Sequence, residues 1–275
     1  VIPFGIFLSL ILWSRPDGIA FIGAIAVDMV IQNYFSKTDS SIKLFSKNDF
    51  IKIGIVAAVF LALYFIMNLS LSGSLLPNTY NAKLTYYAPE FRSRADFFKG
   101  EVWDYFTAGS YGLVMIGFFA GIFFTLKDLV SKKYNYNVFY IIFIFAFIFI
   151  YWYKLPYAHR FGRYLMPVIP FLIIVSAFGF KDFFKLLGGF LNNRTAAVYG
   201  TVIVLSVIAV FSFKNYLENK SNYASECKYI NDRQVEAAKW IAANTNESDI
   251  IATHDVGAIG FYSKRKIVDV AGLVT

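Results

Sequence analysis

The fifteen residues Phe139–Tyr153, FYIIFIFAFIFIYWY, carry no charge, no proline and no glycine. A run of this kind limits the fold more than any other feature of the chain. Its backbone N–H and C=O groups need partners, and lipid offers none, so a helix is the element that satisfies them within one segment. About 20 apolar residues cross a hydrocarbon layer of about 30 Å. Seven apolar segments recur along the chain, at about 1–13, 19–35, 51–69, 109–126, 138–153, 164–180 and 196–213. Hydrophobic residues make up 57% of the chain and charged residues 16%, against about 45–50% and about 25% in soluble domains; the excess sits in these blocks. The reading is an all-α polytopic membrane bundle of about seven spans over residues 1–213. The start of a small soluble α/β domain follows over 214–275.

The net charge of +8 belongs to the loops and the tail, where Lys and Arg flank spans and meet anionic headgroups. No basic run with interleaved aromatics stands apart from the spans, which points to membrane lipids and away from nucleic acid. One cysteine, Cys227, excludes an intramolecular disulfide and a Cys-based metal cluster. Val1 and the closing VDVAGLVT both read as cut ends.

The loops fall alternately on two sides. One side holds 36–50, 127–137 and 181–195; the other holds 14–18, 70–108, 154–163 and the tail from 214. The first side carries more unbalanced Lys and Arg, so it is taken as cytoplasmic. Within loop 70–108, Phe91, Ala95, Phe98, Val102 and Tyr105 recur at helical spacing, with Pro89 and Glu90 suited to a first turn. That helix either covers the bundle or lies in the headgroup plane.

The unusual polar groups near span ends share the second side. SRPDG, Ser14 to Gly18, is a turn whose Arg15 and Asp17 either sit at the surface or line a polar cavity. After the third span comes LPNTYNAK, where Lys83 is a candidate anion partner and Asn78 a hydrogen-bonding group for a hydroxylated substrate. HRFGRY, His159 to Tyr164, opens the next span if that helix starts near Phe161. His159, Arg160 and Arg163 would then meet a helix N-terminus, where cations are unfavourable unless an anion arrives. Arg160 and Arg163 share a face; either they snorkel to the headgroups beside Tyr157 and Tyr164 in an aromatic belt, or their guanidinium forks hold a phosphate. In the tail, Asp232–Asn244 reads as an amphipathic helix with Val235, Ala238, Ile241 and Ala242 on one face. IIATHD and KIVDV read as strands around a short crossover, VGAIGFYS. GAIG lacks the dinucleotide spacing. His254 and Asp255 end the first strand and point to opposite faces, so they form no dyad.

SRPDG, LPNTYNAK, HRFGRYLMPVIP and DVGAIGFYS…IVDVAGL, in this order, resemble GT-C-type membrane glycosyltransferases of bacteria and archaea, of the arabinofuranosyl- and mannosyltransferase-like group. The resemblance covers most of the chain. It implies an inner-membrane enzyme of cell-envelope biogenesis with its site on the extracytoplasmic face. Its reaction would be hexosyl or pentosyl transfer from a polyprenyl-phosphate-linked donor to a hydroxyl of a lipid, glycan or protein acceptor. It also implies donor-phosphate contacts from Arg160 and Arg163, with His159 and Lys83 beside them, and Arg15 and Asp17 around the same cavity; Asn78 and Tyr164 are further substrate-binding candidates. The catalytic carboxylate is expected in an earlier loop; Asp17 is the alternative. Some relatives use a divalent metal, for which no ligand spacing stands out here. Two other readings use the same arginines: a transporter or flippase of an anionic lipid-linked glycan, and a non-catalytic membrane subunit. Transporters commonly carry internal repeats, and none is evident.

Overall fold

The computed structural model describes residues 1–37, 46–158, 162–190 and 193–272, without the side chains of Asn78, Arg194 and Ala196. Helices are α1 (Ile2–Ser14), α2 (Ile19–Phe35), α3 (Lys47–Ser72), α4 (Asn78–Tyr86), α5 (Arg94–Asp96), α6 (Asp104–Thr107), α7 (Tyr111–Val130), α8 (Asn137–Lys154), α9 (Ile169–Phe190), α10 (Arg194–Ile230), α11 (Glu236–Asn244) and α12 (Val256–Ser263). The strands are β1 (Ile250–Thr253) and β2 (Lys266–Asp269). Among the described residues, six helices are long and apolar enough to cross a membrane: Pro16–Phe35, Lys47–Ser72, Tyr111–Val130, Asn137–Lys154, Met166–Phe190 and Ala197–Asn244. α1 is apolar but shorter, at 13 residues. The chain forms two compact units, Val1–Tyr64 with Phe91–Ser212, and Phe65–Glu90 with Phe213–Thr275.

In the first unit α2 and α8 run antiparallel, and their aromatics fill the space between them and α9. Phe21 of α2 meets Phe139 and Phe143 of α8 and Phe171 of α9, with ring centroids 5.1, 5.3 and 6.1 Å apart. Such offset and edge contacts add about 0.5–1.5 kcal/mol each beyond area burial. α7 and α9 pack backbone to backbone. A Cβ on Gly179 would strike Gly117 O and Gly121 N, and one on Gly121 would strike Val175 O. Small residues at a helix seam allow this approach, and close approach is what holds helices together where lipid removes the hydrophobic drive. Val175, which meets Gly121, is fully buried at the seam.

The segment after Pro89 departs from the expected helix in both start and face. Ala88–Glu90 is a 3-10 turn, and the helix begins only at α5. Ser93 caps it, accepting from Asp96 N at 3.1 Å and donating to the Asp96 carboxylate at 2.7 Å. Phe97–Trp103 is then a π-helix, which joins α6. The wider π turn moves the buried stripe to Phe97, Val102 and Phe106 and leaves Phe98 52% exposed. These three belong to the core with Phe147, Tyr151 and Leu165, so this segment covers the end of the first unit.

In the second unit β1 and β2 pair in parallel, Ile250 against Lys266 through Thr253 against Asp269, with α12 as the crossover. Val235 and Ala238 are the buried face of the helical run that includes α11. Arg265 ties the end of α11 to the end of α12, donating to Ala242 O and Thr245 O at 2.8 Å and to Ser263 O at 3.1 Å.

Candidate functional site

The turn SRPDG is built by its own residues. α1 stops at Ser14, Pro16 opens a 3-10 turn, and Gly18 lies against Ile11, whose side chain and carbonyl leave no room for a Cβ. Asp17 is drawn under Arg15. Nε and Nη2 of Arg15 donate to its two oxygens at 3.0 and 2.6 Å, and the Tyr151 hydroxyl from the end of α8 donates at 2.6 Å. Arg15 Nη2 also lies 3.4 Å from the Tyr151 hydroxyl. The Asp17 side chain is 13% exposed and that of Arg15 49% exposed. The hydrogen bond to Asp17 raises the Arg15 guanidinium above its ordinary value; burial opposes this, and the carboxylate charge adds to it. Asp17 thus accepts from three donors, and its pairing with Arg15 fixes where that guanidinium sits.

Tyr151 links this turn to the second motif. Its ring stacks on Tyr164, with centroids 5.4 Å apart and planes at 22°. Tyr164 is 5% exposed, so it supports the site from within and offers no face to a substrate. Arg163 lies on the outer side, its guanidinium carbon 5.4 Å from the Tyr164 ring centroid, and is exposed. The order is thus Arg15, Tyr151, Tyr164, Arg163, at one end of the first unit. Gly162 has φ of +63°, and Tyr105 fills the space its side chain would need. Burial pushes the Tyr105 phenol up.

The expected helix start near Phe161 is not observed. Met166–Val168 is a 3-10 turn and α9 begins at Ile169, six residues after Arg163. Pro167 and Pro170 explain this, since each would clash with the carbonyl four residues earlier and is tolerated only in a first turn. Arg163 therefore sits in the preceding turn, closed by Leu165 N to Gly162 O at 2.7 Å, and the argument from the helix dipole does not apply to it. His159 and Arg160 lie outside the described residues. Asn78 and Lys83 belong to α4 in the second unit. The grouping of Arg15, Asp17, Tyr164 and Arg163 is made by the first unit alone.

Three features of the first unit escaped the sequence reading. Arg92 N donates to Pro156 O at 3.1 Å, Arg94 donates to Tyr153 O at 2.7 Å, and Trp152 Nε1 donates to Arg94 O at 3.1 Å. This strap pins residues 92–94 across the end of α8. Tyr151 was one aromatic among many in FYIIFIFAFIFIYWY. Asp28 in α2 did leave a signal, a lone carboxylate within an apolar run. It is 6% exposed and accepts from the Tyr134 hydroxyl and Gln32 Nε2, each at 2.7 Å. Burial raises the Tyr134 phenol above its ordinary value, and the Asp28 carboxylate adds to this. In the second unit His254 Nε2 lies 4.0 Å from the Asp255 carboxylate, which accepts from Gln234 at 3.0 Å.

Residues 222–275 match the family described as a domain of unknown function (DUF8728). No curated protein and no solved structure matches the chain. Among the described residues no group of three or more His, Cys, Asp or Glu could hold a metal ion.

Proposed function

We propose that the chain is the membrane-embedded part of a GT-C-type glycosyltransferase, which moves a sugar from a polyprenyl-phosphate-linked donor to an acceptor hydroxyl. Embedding is supported by the six long apolar helices and by the side chains they expose, among them Val30, Ile66, Phe123, Phe149 and Val210. One observation carries the assignment of the site. SRPDG and Gly162–Tyr164, far apart in sequence, meet through the Tyr151–Tyr164 stack, with Arg15 and Arg163 flanking it. Arg15 keeps Nη1 unused among the described residues, and Arg163 has no acidic partner among them.

Both forks suit a phosphate leaving group. In the proposed step the bond from the sugar's anomeric carbon to the phosphate oxygen breaks, and the bond to the acceptor oxygen forms. The acceptor proton passes to a general base other than Asp17, and the negative charge left on the lipid phosphate is held by the arginines. By resemblance, Arg160 and His159 are assigned to the same phosphate.

A charge-assisted hydrogen bond is worth about 1.5–3 kcal/mol, and 1.4 kcal/mol is tenfold. Arg15→Ala and Arg163→Ala should therefore each lower sugar transfer by the full-length protein about 10- to 100-fold, at equal membrane abundance. Transfer that survives both substitutions unchanged excludes this site as the phosphate grip.

A further inference from the structure

We propose that the cleft between the C-terminal ends of α7 and α9 binds the headgroup of an ethanolamine phospholipid. The cleft has a volume of about 580 Å³, within the usual range of ligand sites, roughly 300–1,000 Å³. It belongs wholly to the first unit. Lys127 and Asp128 line it from the last turn of α7, and Asp182 and Lys185 line it from α9. Phe124 and Leu186 make its apolar wall.

The four lining charges sum to zero, and among the described residues none of them forms an ion pair within 4.0 Å; Lys181, beside Asp182 in α9, adds a positive charge outside the lining. Asp128 accepts from Asn135 at 2.6 Å, and Asp182 has no hydrogen-bond partner among the described residues. The glycine seam fixes the separation of the two backbones, so the cleft is set by the helix packing and not by its lining.

A ligand that satisfies both signs at once is a zwitterion. A phosphodiester gives the lysines a partner, and a primary ammonium gives the two carboxylates three N–H donors. The negative ends of α7 and α9 also favour a cation here. A quaternary choline has no N–H to give, and an anionic glycerol headgroup leaves the carboxylates facing each other. α7 is 20 residues long, so if it spans, its last turn lies roughly 30 Å from its start, at headgroup level. The exposed flank of Leu186 and Phe190 then meets the acyl chains. This proposal rests on membrane embedding but not on sugar transfer.

The test is native mass spectrometry of the purified full-length protein in detergent, with phosphatidylethanolamine, phosphatidylcholine and phosphatidylglycerol of identical acyl chains. Retention of the ethanolamine lipid should exceed that of either other lipid by about tenfold. Asp182→Asn and Lys185→Gln should each bring it to the phosphatidylcholine level while circular dichroism is unchanged; both side chains reach solvent, so both variants are expected to fold. Equal retention of the three lipids, or a preference that survives both variants, overturns the proposal. Soluble phosphoethanolamine at equimolar concentration should not displace the lipid; displacement would overturn the lipid as the source of the headgroup.

Discussion

Gly179→Val is expected to eliminate the folded protein. A side chain there meets Gly117 O and Gly121 N, which are backbone atoms of α7 and cannot rotate away. Overpacking of a core commonly costs about 1–3 kcal/mol and more where nothing can give. Native domains hold only about 5–15 kcal/mol, and the α7–α9 pair is the axis on which the first unit is assembled. Two other glycines provide an internal scale. A Cβ at Gly117 meets the side chains of Ser176 and Phe180, which can move, so Gly117→Ala should lower the thermal midpoint less than Gly179→Ala. Gly23 has nothing within 4 Å of an added Cβ, so Gly23→Ala should leave the midpoint unchanged or raise it slightly. Monodispersity on size exclusion and the thermal midpoint in detergent read all four variants. A stable, monodisperse Gly179→Val protein would show that the seam is not as close as described.

Asp17→Asn should lower transfer by about 10²-fold while the protein stays folded. The carboxylate grips Nε and Nη2 of Arg15 with one oxygen each, and an amide keeps a single acceptor without the charge. Arg15 is half exposed, so releasing it costs little stability. Loss of its position is the larger effect, since a displacement of about 1 Å at a reacting group can cost about 10²-fold. The loss should fall mainly on kcat, with a smaller rise in the KM for the lipid-phosphate donor. Tyr151→Phe removes one hydrogen bond from Asp17 and keeps the stack on Tyr164, so its effect should be near fivefold, for about 1 kcal/mol. Because Asp17 acts through Arg15, the pH profile of transfer should keep its acid limb in Asp17→Asn. Disappearance of that limb would make Asp17 the general base and contradict the positioning role.

Much of the helical framework was legible because its cause is local. Unbroken apolar runs leave the backbone one way to satisfy itself, and strand, crossover, strand in the tail requires the parallel pair that β1 and β2 form. Helix starts were legible only where the prolines were given full weight. Pro167 and Pro170 exclude a helix from Phe161, and the structure obeys them. The face of the 97–103 segment was not legible, because a π-helix changes the period on which the reading relied. The site was half legible. Arg15, Asp17 and Arg163 stood out as charges beside apolar runs. Tyr151, which joins them, is one of several aromatics in an apolar helix, and only tertiary packing distinguishes it.

The most direct measurement is the fate of the donor when purified full-length protein is reconstituted in sealed vesicles with a polyprenyl-phosphate-linked sugar and acceptor. The account predicts loss of intact donor, equimolar appearance of free polyprenyl phosphate and glycosylated acceptor by mass spectrometry, and suppression of both products by Arg163→Ala. Donor that moves between leaflets with its sugar–phosphate bond intact, or that remains unchanged by the wild-type protein, would contradict it.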